Sequence, residues 1–148
     1  MIYIFDIDQT LADASHRLHL INGETKDWEA FFAACVDDKP IWEVITVARA
    51  LAAAKHNIVY ATGRPKRTMN ATTAWLLKYR VLLGPLFMRE DADHREDTVV
   101  KSEMLDKIIA QYANTGEKIG GIFEDRQGVT EMYRARGLRV FQVAEGKY

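Results

Sequence analysis

Two aspartates stand two residues apart in Asp6-Ile7-Asp8-Gln9-Thr10, directly after the apolar run MIYIF. Side chains two apart on an extended chain face the same way, so the spacing brings two carboxylates within several ångströms of one another. Such a pair repels itself unless a cation lies between the oxygens or one carboxyl keeps its proton, and a catalytic site exploits either outcome. Alone, a D-x-D is more often a pair of solvated turn acids, because aspartate is common in turns.

Further polar groups follow other apolar runs. IVYA ends in Thr62-Gly63-Arg64, where a hydroxyl, a glycine that admits close backbone approach and a guanidinium could seat a phosphate. An ordinary strand-to-helix turn explains that triplet equally well. GGIF runs into Glu124-Asp125-Arg126, a second acid pair, in which Asp125 also suits a helix N-cap. Asp97 precedes a helical run that holds Lys101, which read blandly is a cap and a solvated lysine. Each bland reading stands singly, yet together they require coincidence at three strand ends. Hard oxygen ligands for a cation, joined with hydroxyl, ammonium and guanidinium groups for an anion, suit phosphoryl chemistry with magnesium.

These residues need elements to carry them. Short β-rich runs alternate with longer stretches of helical period, the pattern of a parallel sheet covered by helices. Strands are expected at Ile2–Phe5, Ile58–Ala61, Leu86–Met88, Ile119–Phe123 and Arg139–Val143, and the unbroken apolarity of MIYIF and IGGIF suits burial on both faces. Ile41–Lys55, Lys66–Arg80, Val99–Tyr112 and Arg126–Arg136 carry apolar residues at helical spacing, and Gly137 ends the last. The expected architecture is α/β, a three-layer, doubly wound, Rossmann-like fold with a five-stranded parallel sheet, in one domain over residues 1–148. Ligands of such sheets bind beyond the carboxyl ends of the strands, where the acid pairs and the TGR triplet fall.

An insert, Ala12–Lys39, interrupts the rhythm with polar NGETKD and a short aromatic helix around Trp28–Ala34, a minimal cap too short to roof a site. Trp28, Phe31, Phe32 and Trp42 lie at helical spacing and read as core and cap packing rather than base-stacking platforms. His16 and His19 flank Arg17 where they could line a site entrance, and they lack the cluster a metal site needs.

D6-I-D8-Q-T10, T62-G-R64, K101 and E124-D125, in order and strand context, resemble the four motifs of the haloacid dehalogenase (HAD) superfamily of phosphohydrolases over nearly the whole chain. Arg17, the acid-rich stretch from Arg89 to Thr98 that leads to Lys101, and the ending EDRQGVTEMYRARGLRVFQVAEGKY are similar to the 3′-phosphatase domain of phage polynucleotide kinase-phosphatase. Gln9 stands where the superfamily often has glycine, and Met1 nearly abuts the first strand, so no kinase half is expected ahead of it.

The resemblance implies a role for each residue. Asp6 would attack phosphorus and form an aspartyl-phosphate, and Asp8 would protonate the leaving alcohol and then deprotonate water. Mg2+ would be held by the Asp6 carboxylate, the Asp8 main-chain carbonyl and Asp125, with Glu124 nearby or acting through water. Thr62 and Lys101 would hold phosphoryl oxygens, Lys101 also offsetting Asp6, and Thr10 would brace the first loop. Arg17 and Arg64 would grip substrate phosphates, with Asp97 orienting one of these arginines.

Composition bounds the rest. At 148 residues with 48% hydrophobic and 28% charged, the chain can bury a core and is not of the disordered class. A formal net charge of −1 removes the bulk attraction on which a nucleic-acid packaging protein depends, so any polyanion contact must be local. Cys35, lying in FFAACV without a partner, fits a buried hydrophobe in a reducing compartment. No apolar run reaches the roughly 18 residues of a membrane span, and a cytoplasmic, unprocessed chain is expected.

The leading expectation is a magnesium-dependent polynucleotide 3′-phosphatase. Its substrate would be a phosphorylated nucleic-acid end, and a separate kinase or ligase could act with it. A phosphatase of mononucleotides or other metabolites is the second reading. A third, a phospho-acceptor switch of the response-regulator type, fits the motif order poorly: there the acid pair follows the first strand and the phosphorylated aspartate a later one.

Overall fold

Alternate residues of the central strands enter different cores. Phe5 faces one apolar cluster while Ile2 and Ile4 face the other, and Ile58 and Tyr60 divide from Val59 and Ala61 in the same way. That two-sided burial is why these runs are apolar throughout rather than alternating. In the computed structural model, which describes residues 1–81 and 84–146, the strands β1 (Ile2–Phe5), β4 (Asn57–Pro65), β5 (Leu86–Arg89), β6 (Ile119–Arg126) and β7 (Val140–Gly146) form one parallel sheet in the order β5-β4-β1-β6-β7. Helices α2 (Trp42–Ala53) and α3 (Met69–Lys78) pack on one face through Ile45, Ala48, Trp75 and Leu76. Helices α4 (Asp97–Tyr112) and α5 (Gln127–Ala135) cover the other through Met104, Leu105, Ile108 and Tyr133. The three expected layers are present.

The chain winds from β1 through β4 to β5 on one side and returns to β6 and β7 on the other. The order therefore reverses between β1 and β6, the place where open α/β sheets leave a crevice at their carboxyl ends. Two strands run further than their apolar runs: β4 continues through Thr62-Gly63-Arg64 to Pro65, and β6 through Glu124-Asp125 to Arg126. Each has a register irregularity over those residues. Sequence apolarity stops where burial against the cores stops, whereas the backbone ladder continues.

The insert contains a two-residue antiparallel pair, β2 (Ala12–Asp13) with β3 (Lys39–Pro40), a 3-10 turn over Ser15–Leu20, helix α1 (Trp28–Ala33) and a second 3-10 turn over Ala34–Asp37. Asp27 caps α1 by accepting from the Ala30 amide at 2.9 Å. The two final residues of the carboxyl-terminal motif, 147–148, lie outside the described residues.

Candidate active site

Asp6 follows the last residue of β1, its amide donating to the Phe123 carbonyl of β6 at 3.0 Å. The turn beyond it is tight because Gln9 adopts a left-handed φ of 60°, a conformation that favours glycine. Its cost, roughly 1 kcal/mol for a non-glycine residue, is offset by bonds only a side chain can make: Gln9 Oε1 accepts from the Ala14 amide at 2.9 Å and Nε2 donates to Ser15 at 3.3 Å. Thr10, on the same turn, donates to Asp6 Oδ2 at 3.5 Å.

Lys101, one turn into α4 and fully buried, donates to Asp6 Oδ1 and to Glu124 Oε2, each at 2.7 Å. Glu124 Oε1 in turn accepts from the amides of Asp125 and Arg126 at 3.1 Å, fixing the end of β6. Burial foremost, and then the Glu124 charge, push the Asp6 carboxyl well above its usual range, with Lys101 countering. Burial alone would lower Lys101, but Asp6 and Glu124 outweigh it and raise the ammonium. Asp6, Glu124 and Asp125 each offer a carboxylate oxygen within 4.8 Å of the others, and all three are buried. Three carboxylates against the Lys101 ammonium leave a negative excess, and a donor set made only of hard oxygens suits Mg2+. The residues present fit that ion.

Asp8 lies in a different electrostatic setting. Its Oδ1 accepts from Arg17 Nη2 at 2.7 Å and from Arg64 Nε and Nη2 at 2.9 and 2.6 Å. Behind them, the fully buried Asp38 accepts from Arg17 Nε and Nη2 and from Arg64 Nη2 at 2.7–2.9 Å. Burial acts to raise Asp8, but the Arg64 and Arg17 charges outweigh it and hold the carboxyl below its ordinary value. The two aspartates thus meet different cations, Asp6 the Lys101 ammonium and Asp8 the Arg17 and Arg64 guanidiniums.

Both arginines are fully buried, and their forks are engaged by Asp8, Asp38, the Phe31 carbonyl and the Thr72 hydroxyl. The structure therefore sets them beneath Asp8, not in the open where a phosphate would be gripped. Thr62, also fully buried, accepts from the Arg64 amide at 3.2 Å.

Asp97 corrects a second expectation. It orients neither Arg17 nor Arg64; it bonds Arg89 Nη2 and, at 2.9 Å, Arg126 Nη1. It is the first residue of α4 and Glu96 takes the cap position, so it is not an N-cap. Gly63 leaves room for it, since a Cβ there would lie 2.8 Å from Asp97 Oδ1. A cleft of about 330 Å³ is lined by Asp6, Asp8 and Lys101 together with Arg89, Arg126, Trp28 and Phe32.

Sequence reasoning missed Asp38, Arg89, Arg126 and the placing of the aromatic rings. Arg126 was within sight, because strand alternation puts it on the face of Glu124. Arg89 closes β5 and follows from the rule about strand ends. Asp38 follows another aspartate in VDDK and carries no local signal. His16 Nε2 lies 2.8 Å from Asp38 Oδ1, a hydrogen-bond contact within the insert. Cys35 is buried and unpaired, as expected. Trp28 and Trp42 depart from the packing expectation, being 42% and 49% exposed, while Phe31 is buried.

A parallel α/β sheet with a buried aspartate, lysine and acid cluster at its switch point is the architecture of the HAD class of phosphatase domains. Residues 1–148 match the family model of the polynucleotide kinase PNKP phosphatase domain, and the chain belongs to that family. Among solved structures it is similar to a chain of the Pnkp1/Rnl/Hen1 RNA repair complex, at 24% identity and TM-score 0.78 over 99% of this chain and 43% of that one. The chain thus spans less than half the length of that relative. It is also similar to the class C acid phosphatase from Bacillus anthracis with tungstate bound, at 12% identity and TM-score 0.69, covering 99% of this chain and 67% of that one. A third likeness is to D,D-heptose 1.7-bisphosphate phosphatase from B. bronchiseptica complexed with magnesium and phosphate, at 14% identity and TM-score 0.64, covering 95% and 79%. Among the described residues no helix is long and apolar enough to cross a membrane.

Proposed function

We propose that this domain removes the 3′-phosphate from a polynucleotide end by way of an aspartyl-phosphate on Asp6. The observation that carries the chemistry is Asp6 seated on Lys101 beside the Glu124 and Asp125 carboxylates, with Asp8 held apart by two guanidiniums. Asp6 attacks phosphorus, the leaving 3′-oxygen takes a proton from Asp8, and in the second half Asp8 takes a proton from the water that cleaves the acyl-phosphate. Arg17 and Arg64 position Asp8 as a carboxylate, the form the second half needs. The proton for the first half then arrives on the substrate monoanion, and Asp8 accepts it from a phosphoryl oxygen and passes it to the leaving 3′-oxygen. Lys101 and Thr62 hold phosphoryl oxygens as charge shifts. Mg2+, held by Asp6, Asp125 and the Asp8 carbonyl with Glu124 alongside, would offset the repulsion between anionic nucleophile and anionic substrate.

The family and the likeness to a chain of an RNA repair complex support a polynucleotide end as substrate, and a separate kinase or ligase as a working partner. Arg89 and Arg126, aligned by Asp97 at the cleft, supply the local cations such an end needs in a chain of net charge −1. A second reading, hydrolysis of mononucleotides, draws on the ion pairing of the rim: Arg67 with Glu29, and Arg95 with Asp93 and Glu103. Phosphate release with Mg2+ from 3′-phosphorylated oligonucleotides, 5′-phosphorylated oligonucleotides and free mononucleotides separates the readings. A higher kcat/KM on mononucleotides would sink the first.

A further inference from the structure

We infer that Trp28 and Phe32 form a stacking face for the nucleobase at the end being dephosphorylated, an inference that rests on the polynucleotide reading above. Both rings line the cleft that holds Asp6 and Asp8. Their planes lie within 23° of one another with centroids 5.8 Å apart. Phe31 meets both edge-on, at 5.6 Å and 88° from Trp28 and at 5.3 Å and 71° from Phe32.

That central ring ties the shelf to the chemistry. Phe31 is buried, the Arg17 guanidinium lies 4.2 Å from its ring centroid, and its carbonyl accepts from Arg17 Nη1 at 3.2 Å. Arg17 also binds Asp8 at 2.7 Å, so one residue joins the aromatic shelf to the group that handles the leaving-group proton. Phe31 meets the packing need of α1, yet Trp28 stays 42% exposed on the cleft wall. An exposed tryptophan held rigid by its neighbours presents a flat apolar face at little ordering cost, and every nucleobase has a matching face. Lys26 Nζ stands 5.9 Å from the Trp28 ring, and the Arg67 guanidinium, which also pairs with Glu29, stands 5.7 Å from the Phe32 ring. A base resting there would leave its sugar and 3′-phosphate directed into the cleft over Asp6.

The test compares two 3′-phosphorylated oligonucleotides of one sequence, one with an intact terminal nucleotide and one whose terminal sugar lacks its base, assayed with Mg2+. The wild-type kcat/KM should favour the intact end by about tenfold, within the range of base–aromatic stacking. Trp28→Ala should bring that ratio close to one, and Trp28→Phe should restore most of it. A lower folded fraction cannot mimic this result, because it would scale both substrates alike; thermal melts of each variant confirm folding. A wild-type ratio of one, or an unchanged ratio in Trp28→Ala, overturns the stacking face and leaves the polynucleotide reading standing. Failure of the wild-type enzyme to release phosphate from either oligonucleotide, while it hydrolyses mononucleotides, overturns both.

Discussion

Asp6 and Asp8 stand two residues apart in the chain and in different electrostatic environments. Asp6 shares an ammonium with Glu124, whereas Asp8 receives three guanidinium bonds. Asp6→Asn keeps shape but removes the nucleophile, so turnover should vanish while the far-UV circular dichroism stays that of the wild type. Asp8→Asn should slow release of an alkyl leaving group by about 10² to 10⁴, and far less with p-nitrophenyl phosphate, whose phenol departs without a proton. Equal losses on both substrates would remove Asp8 from the acid role. The guanidiniums hold Asp8 below its ordinary value, so the proton that Asp8 passes to the leaving oxygen is one it takes from the substrate monoanion. The rate on an alkyl phosphate should therefore fall as pH rises above about 6, the second ionisation of a phosphate monoester. A rate that keeps rising through pH 8 would contradict this.

Elements act on the site through their ends. The start of α4 supplies Asp97, which joins Arg89 of β5 to Arg126 of β6 across the carboxyl edge of the sheet. Burial would raise Asp97, but Lys101, Arg126 and Arg89 outweigh it and lower the carboxyl. A group lowered in the folded state stabilises above its unfolded value and loses that contribution as pH falls through the folded one. Asp97→Asn should therefore destabilise by about 3 kcal/mol at pH 7, and the deficit should close below about pH 4. Urea melts at pH 7, 5 and 3 measure it, and a deficit that persists unchanged at pH 3 would refute the ion-pair account. The end of β7 acts on the acid cluster. A Cβ at Gly146 would meet Asp125 Oδ2 and lie 2.9 Å from the Arg126 Cα. Gly146→Ala should raise the Mg2+ concentration needed for half-maximal rate, read from a titration of activity against metal.

For the molecule as a whole, the acid cluster is a folding liability that a cation relieves. Asp6, Glu124 and Asp125 are all buried, and like charges gathered in a dry site oppose folding. EDTA should abolish phosphatase activity and lower Tm, and Mg2+ should reverse both. At a hundredfold excess over Kd, a ligand that binds only the folded state stabilises by about 2.7 kcal/mol. Full turnover in metal-free buffer would count against the proposed site. Ca2+ should bind yet support less turnover, because its looser coordination displaces the in-line geometry.

Much of this was legible in the chain because it depends on local order. Runs buried on both faces must be apolar throughout, so the strands could be counted, and the polar residues that end them, Asp6, Thr62 and Glu124-Asp125, could be placed at one edge. The direction of side chains beyond that edge was a different matter. The period of two sets Asp6 and Asp8 at one edge but does not name the groups each carboxylate meets. The partner of Asp8 on each side comes from far along the chain: Arg64 lies 56 residues away, and Asp38, which braces it, lies 26 from Arg64. Whether Trp28 lies in the core or on a cleft wall likewise depends on which ring of the three in α1 packs on the buried Arg17. Phe31 takes that place, and packing between distant segments, which no local pattern encodes, decides it.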